Sequence, residues 1–215
     1  MPRAARIVIP GVPHHITQRG NRQQPIFFSE EDYRAYIEIL ALALTRHGTR
    51  CLAWCLMPNH VHLMLVPATE DGLRATLASA HTTYAQRINQ LQDTSGHLFQ
   101  GRFASYAMDD AHMMVAARYI ENNPVKAGMV KRAEDWLWSS ARAHISGDGD
   151  GLTDIAALGQ HLPNWAAMLA NGLEAAEQVD LAIRTGRPLG AADWLRQIGQ
   201  GEPPKRRGRP SRLNK

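Results

Sequence analysis

The stretch TRCLAWCLMPNHVHLMLVP, residues 49–67, holds two runs of strand-forming residues around Pro58 and Asn59, and its reading decides the fold. Both central residues favour turns, so the runs read as an antiparallel hairpin with His60 at the entrance of the second arm. Successive side chains of a strand alternate faces. His60 and His62 then point one way, while Val61, Leu63 and Leu65 point the other way into a core. Two imidazoles on one strand face suit metal ligation or ordinary hydrogen bonding, and the stretch alone leaves both open. Cys51 and Cys55, the only cysteines, are placed by their spacing on one face of the first arm. They are too far apart along a strand for an easy disulfide, and a zinc ribbon lacks its second cysteine pair, so both read as buried, reduced thiols.

Outward from the hairpin, SEEDYRAYIEILALALTRHG (29–48) reads as a helix. Ser29 can cap it, acidic residues fill its first turn, Tyr33, Ile37, Leu40 and Leu44 recur at helical spacing, and Gly48 ends it. A second helix follows the hairpin over about 72–91, with Leu73, Leu77, Tyr84, Ile88 and Leu91 as its apolar stripe. A first strand is expected from about Arg6 to Gln18, interrupted at PGVP (10–13) and resuming as HHITQRG (14–20). His14 and His15 face opposite sides, so at most one looks toward a shared site. RFASYAM (102–108) reads as the last strand, and DDAHMMVAARYIENN (109–123) as a helix capped by Asp109 or Asp110 and stopped by Pro124.

The order strand, helix, strand, strand, helix, strand is the split βαβ pattern. It predicts an α+β, ferredoxin-like antiparallel sheet with helices on one face, followed by a small C-terminal helical segment and a basic tail. In EDWLWSSARAH (134–144) the two tryptophans share a face and seal the core edge, and a serine then caps a short helix. Glycine and aspartate in ISGDGDGLTD (145–154) mark a boundary, giving a catalytic domain over 1–147, short helices over 148–200 and a tail over 201–215. Calcium is not expected at that boundary, because EF-hand ligand spacing is missing.

The chain has 215 residues, 44% hydrophobic and 20% charged, which is ordinary globular composition. With no apolar run near the length of a membrane helix and no secretory signal, a cytoplasmic protein without membrane contact is expected. The net charge of +4 is unevenly spread. Lys205, Arg206, Arg207, Arg209, Arg212 and Lys215 crowd the tail, which favours a polyanionic partner.

Two imidazoles alone would hold a metal weakly. The helix after the last strand packs back across the sheet, and it carries Tyr119 and Asn123 four residues apart on one face. Asn123 can add an amide oxygen, and such a set with open positions suits Mg²⁺ or Mn²⁺ acting on phosphate. Tyr119 beside that metal can attack phosphorus and conserve the bond energy as phosphotyrosine. No nucleotide cofactor is needed, and no Walker-type glycine loop is present.

Five motifs in order, HHITQRGNRQQPIFF, MPNHVHLML, GHLFQGRF, RYIENNPVKAGMV and WLWSSARAH, together resemble the single-tyrosine HUH transposases, and within them the REP-associated tyrosine transposases of bacteria. The resemblance spans residues 14–144. It implies His60 and His62 as metal ligands, Asn123 as the third, and Tyr119 as the nucleophile. It also implies cleavage and rejoining of single-stranded DNA beside hairpins through a 5′-phosphotyrosine, by a monomer. KRRGRPSR (205–212) is similar to an AT-hook, whose arginines lie in the minor groove. Arg19, Arg22 and Arg102 are the further cations expected near DNA. A DNA-binding regulator on the same fold and a hydrolytic nuclease are the alternative readings.

Overall fold

The hairpin forms as its turn residues require in the computed structural model of the chain, which describes residues 6–158, 164–171 and 176–200. β2 (Arg50–Met57) and β3 (His60–Val66) pair antiparallel around Pro58 and Asn59. β3 pairs in turn with β1 (His14–Arg19), and β1 with β4 (Ala104–Ala107), giving the order β2-β3-β1-β4 with every pairing antiparallel.

Two helices cross between the strands. α1 (Glu30–His47) starts in a capping box, in which Ser29 accepts from the Asp32 amide and Asp32 from the Ser29 amide. It ends at Gly48 with φ 59°, a left-handed conformation that suits glycine. α2 (Gly72–Leu91) covers the range its periodicity predicts. Both helices bury against one face of the sheet, where Ile16, Val61, Leu63 and Leu65 meet Tyr36, Leu40 and Leu44 of α1 and Leu73, Leu77 and Tyr84 of α2. Leu91 is 57% exposed, so the apolar stripe of α2 stops at Ile88.

The opposite face carries a second core. α3 (Asp110–Glu121), capped by the Asp109 carboxylate, packs there on Met64, Val66 and Tyr106 through Met113, Ala116 and Ile120. Pro124 ends α3 as predicted, but the chain re-enters a helix at once. α4 (Asn123–Lys126) accepts Pro124 in its first turn, where a missing N–H breaks no helical bond.

Three further expectations are corrected. β2 has a register shift between Cys51 and Ala53, so the cysteines do not share a face: Cys51 joins the α1–α2 core and Cys55 the α3 core. An extra residue in one strand inverts the alternation beyond it. Both thiols are free and buried, and burial pushes both up, away from the reactive thiolate. The first strand begins only at His14, because Pro10 and Pro13 cannot donate to a ladder. Arg6 lies instead over the Phe103 ring, 3.8 Å from its centroid. Ser140 holds the N-cap position of α5 (Ala141–Ser146) without capping it; its oxygen accepts from the Trp54 amide at 2.9 Å and its hydroxyl donates to Glu121.

The C-terminal segment is built into the second core. α6 (Trp165–Ala170), α7 (Ala176–Thr185) and α8 (Ala192–Gln197) follow, with Trp165, Leu169, Val179 and Ala182 buried among the α3-side residues. Glu121, fully buried at the end of α3, accepts from Ser140, from His144 Nδ1 at 2.6 Å and from Trp165 Nε1 at 2.7 Å. Residues 136–140 run beside β2: the Leu56 amide donates to the Trp138 carbonyl and the Ser140 amide to the Trp54 carbonyl. The two tryptophans divide between the cores, Trp138 stacking on Tyr33 in the first and Trp136 packing on the second. Beside β4, the Leu189 amide donates to the Ala107 carbonyl. Asp150, in the glycine-rich stretch, accepts from Trp54 Nε1 at 2.9 Å and from the Thr153 amide. Among the described residues no helix is long and apolar enough to cross a membrane.

Candidate active site

His60 and His62 leave β3 on the α3 side of the sheet, their ring centroids 4.9 Å apart. Each has one ring nitrogen engaged. His60 Nδ1 meets Asn59 Oδ1 at 2.6 Å, and His62 Nδ1 meets His15 Nε2 at 2.9 Å. His15 comes from β1 on the same face and reaches the Tyr106 hydroxyl at 3.0 Å. His14 turns the other way, onto the Val12 carbonyl. Burial lowers His60 to about 4, helped by Arg19, and it lowers His62 well below the ordinary range, helped by His15 and His60. Both imidazoles are therefore neutral near pH 7, the form that ligates a metal.

The same burial makes stability depend on acid. His14 and His60 are lowered to about 4, and His15 and His81 to about 3, in each case chiefly by desolvation. Between the ordinary histidine value and these folded values the unfolded chain binds more protons, so lowering the pH favours unfolding. The urea midpoint is expected to fall steadily from about pH 6.5 to about pH 4. A flat midpoint over that window would contradict the buried, neutral histidines.

α3 and α4 place Tyr119 and Asn123 above the pair. The Tyr119 ring centroid is 5.9 Å from His62 and 6.0 Å from His15. Asn123 Nδ2 donates to the Tyr119 carbonyl at 2.8 Å and to the Ile120 carbonyl at 3.3 Å, which leaves its Oδ1 for a ligand. Tyr119, His60, His62 and Asn123 all line one cleft of about 1070 Å³. The fold thus brings together the four residues that the sequence analysis singles out for metal and phosphate chemistry.

Of the predicted cations, Arg19 and Arg102 line the cleft. At Gly20 a Cβ would collide with the Gln24 carbonyl, so glycine allows the sharp turn after β1. That turn leaves Arg22 exposed on the short 3₁₀ turn Asn21–Gln23, outside the cleft lining. Lys205, Arg206, Arg207 and Arg209 lie outside the described residues.

Sequence reading misses Asp180. It stands on α7 and accepts the Tyr119 hydroxyl at 2.6 Å on Oδ1, while Lys126 Nζ reaches its Oδ2 at 3.3 Å. Burial and then the Asp180 carboxylate raise the Tyr119 phenol above its ordinary value, against a smaller opposing effect of Arg19. Acidic residues on a surface helix carry no pattern that announces such a contact.

Comparison with known proteins bears on the family and the fold. A candidate REP-associated tyrosine transposase of Haemophilus influenzae is 26% identical over 108 residues, covering 45% of this chain and 61% of that relative. A solved REP-associated tyrosine transposase bound to a REP hairpin superposes with a TM-score of 0.59 at 22% identity, over 72% of this chain and 90% of that one, which establishes a shared fold. The family described as Transposase IS200 like matches residues 10–123. With more than half of its length matched, β1 through Asn123, the chain belongs to the IS200-like transposase family.

Proposed function

We propose that the protein is a metal-dependent strand transferase that cuts and rejoins single-stranded DNA beside a REP-type hairpin through a 5′-phosphotyrosine on Tyr119. The observation that supports this most is the convergence of Tyr119, His60, His62 and Asn123 on one cleft flanked by Arg19 and Arg102. The donor set fits Mn²⁺ or Mg²⁺: Nε2 of each histidine, with Nδ1 already engaged, and the Asn123 amide oxygen. A bound ion would supply charge neutralisation at the scissile phosphate. To ligate through Nε2, His62 keeps its proton on Nδ1 and donates it to His15, which donates onward to Tyr106.

The chain's own residues supply the rest. Arg19 and Arg102 bind and orient phosphates along the cleft, and Tyr119 attacks phosphorus. Hairpin DNA as the substrate rests on the relatives, whose family this chain shares. A basic tail over 205–212 adds sequence-independent attraction to phosphates. Nucleophile and histidines stand within one chain, so a single copy carries the whole site, and a monomer is the working species.

The test is a 3′-labelled hairpin oligonucleotide incubated with Mn²⁺ or Mg²⁺ and run on a denaturing protein gel. Label should migrate with the protein and vanish with EDTA. Cleavage that leaves free 5′ phosphates and no labelled protein would replace this reading with hydrolysis by water. Tight hairpin binding with no cleavage under either ion would make the protein a DNA-binding regulator.

A further inference from the structure

Resting on the reading of Tyr119 as nucleophile, we propose that Asp180 is the proton acceptor for its hydroxyl, a second reacting residue supplied by the C-terminal segment. The hydroxyl donates directly to Asp180 Oδ1 at 2.6 Å, within reach for proton transfer. The contact is built into the packing. Val179 and Ala182, flanking Asp180 on α7, are buried in the α3-side core. Lys126 Nζ holds the other carboxylate oxygen at 3.3 Å and lies 5.0 Å from the Tyr119 ring centroid, so it fixes the carboxylate and balances charge at the phenol. Glu177, Arg184, Arg19 and Arg102 are the other charged groups lining the cleft, with His60 and His62 on its floor.

The need for an acceptor follows from the phenol itself. A phenol keeps its proton near neutral pH, so the attacking oxygen must shed it during the reaction, and Asp180 Oδ1 is the acceptor already in contact. The proton must leave while the bond to phosphorus forms. In the forward step a lone pair of Tyr119 Oη forms the O–P bond, and the Tyr119 proton passes to Asp180 Oδ1. The P–O3′ bond breaks with its electron pair going to O3′, which takes a proton from water. On rejoining, a 3′ hydroxyl attacks phosphorus and gives its proton to water, and Asp180 returns its proton to the departing phenolate oxygen.

The full chain with Mn²⁺ and the 3′-labelled hairpin tests this by single-turnover adduct formation. Asp180→Asn should keep the thermal melt and hairpin affinity and form adduct about 10²- to 10⁴-fold more slowly. Asp180→Glu should recover part of that loss. Replacing Tyr119 by 3,5-difluorotyrosine, whose phenol gives up its proton more easily, should speed the Asp180→Asn chain far more than the wild type. An Asp180→Asn rate within about threefold of wild type, or faster, overturns the proposal. So does a slow Asp180→Asn chain that difluorotyrosine leaves unchanged, which would reduce Asp180 to a structural contact. Labelled protein from Tyr119→Phe would instead overturn the nucleophile assignment, a separate failure.

Discussion

Tyr119→Phe is expected to bind hairpin DNA as the wild type does and to form no covalent adduct, a loss on the order of 10⁴-fold or more. The substitution removes one oxygen atom and keeps the ring. Its packing beside His15 and His62 and under Lys126 is retained, since those contacts are made by the ring. Asp180 loses one donor and keeps Lys126, so the fold should hold. The comparison therefore separates chemistry from structure. Wild-type levels of labelled protein from this variant would remove Tyr119 from the mechanism. Cleavage without label in both proteins would give the attack to water.

Glu121→Ala carries the largest expected stability effect, a loss of about 3–5 kcal/mol. The carboxylate is fully buried and gathers Ser140 and His144 of the α5 segment and Trp165 of α6 onto the end of α3. Removing it leaves the buried His144 and Trp165 donors without their acceptor, each with a desolvation cost of its own, while the Ser140 hydroxyl keeps the Trp54 carbonyl at 3.3 Å. Because Tyr119 lies two residues earlier on the same helix, the loss should also lower adduct formation. Urea unfolding measures it. A change within about 1 kcal/mol would show that the cluster is better hydrated than its burial indicates.

What the sequence makes legible here is what local rules determine. Pro58 and Asn59 announce the hairpin, Ser29 and Gly48 bound α1, and the alternation from His60 to Leu65 separates the two imidazoles from Val61, Leu63 and Leu65 in the first core. The four-residue spacing of Tyr119 and Asn123 survives because Pro124 falls in the first turn of a new helix. The rest depends on distant partners. A bulge at Cys51–Ala53 moves Cys55 to the other face, and nothing in RCLAWCLM marks it. Ser140 follows a local capping rule in sequence, but Trp54 and Glu121 claim its hydroxyl. Asp180 and Tyr119 are brought together only by the packing of α7.

The segments lying beside β2 and β4 have a consequence for how copies of the protein behave toward one another. β2 and β4 are the two lateral edges of the sheet, where exposed backbone groups would template pairing with another chain. Residues 138–140 and 154 occupy backbone groups of β2, and Leu189 the Ala107 carbonyl at the end of β4. The C-terminal third of the molecule thus acts as its own gatekeeper, closing the sheet against extension by a second copy. Truncation before Leu189 would uncover the Ala107 end of β4, and the shortened chain should self-associate more strongly than the full chain at equal concentration.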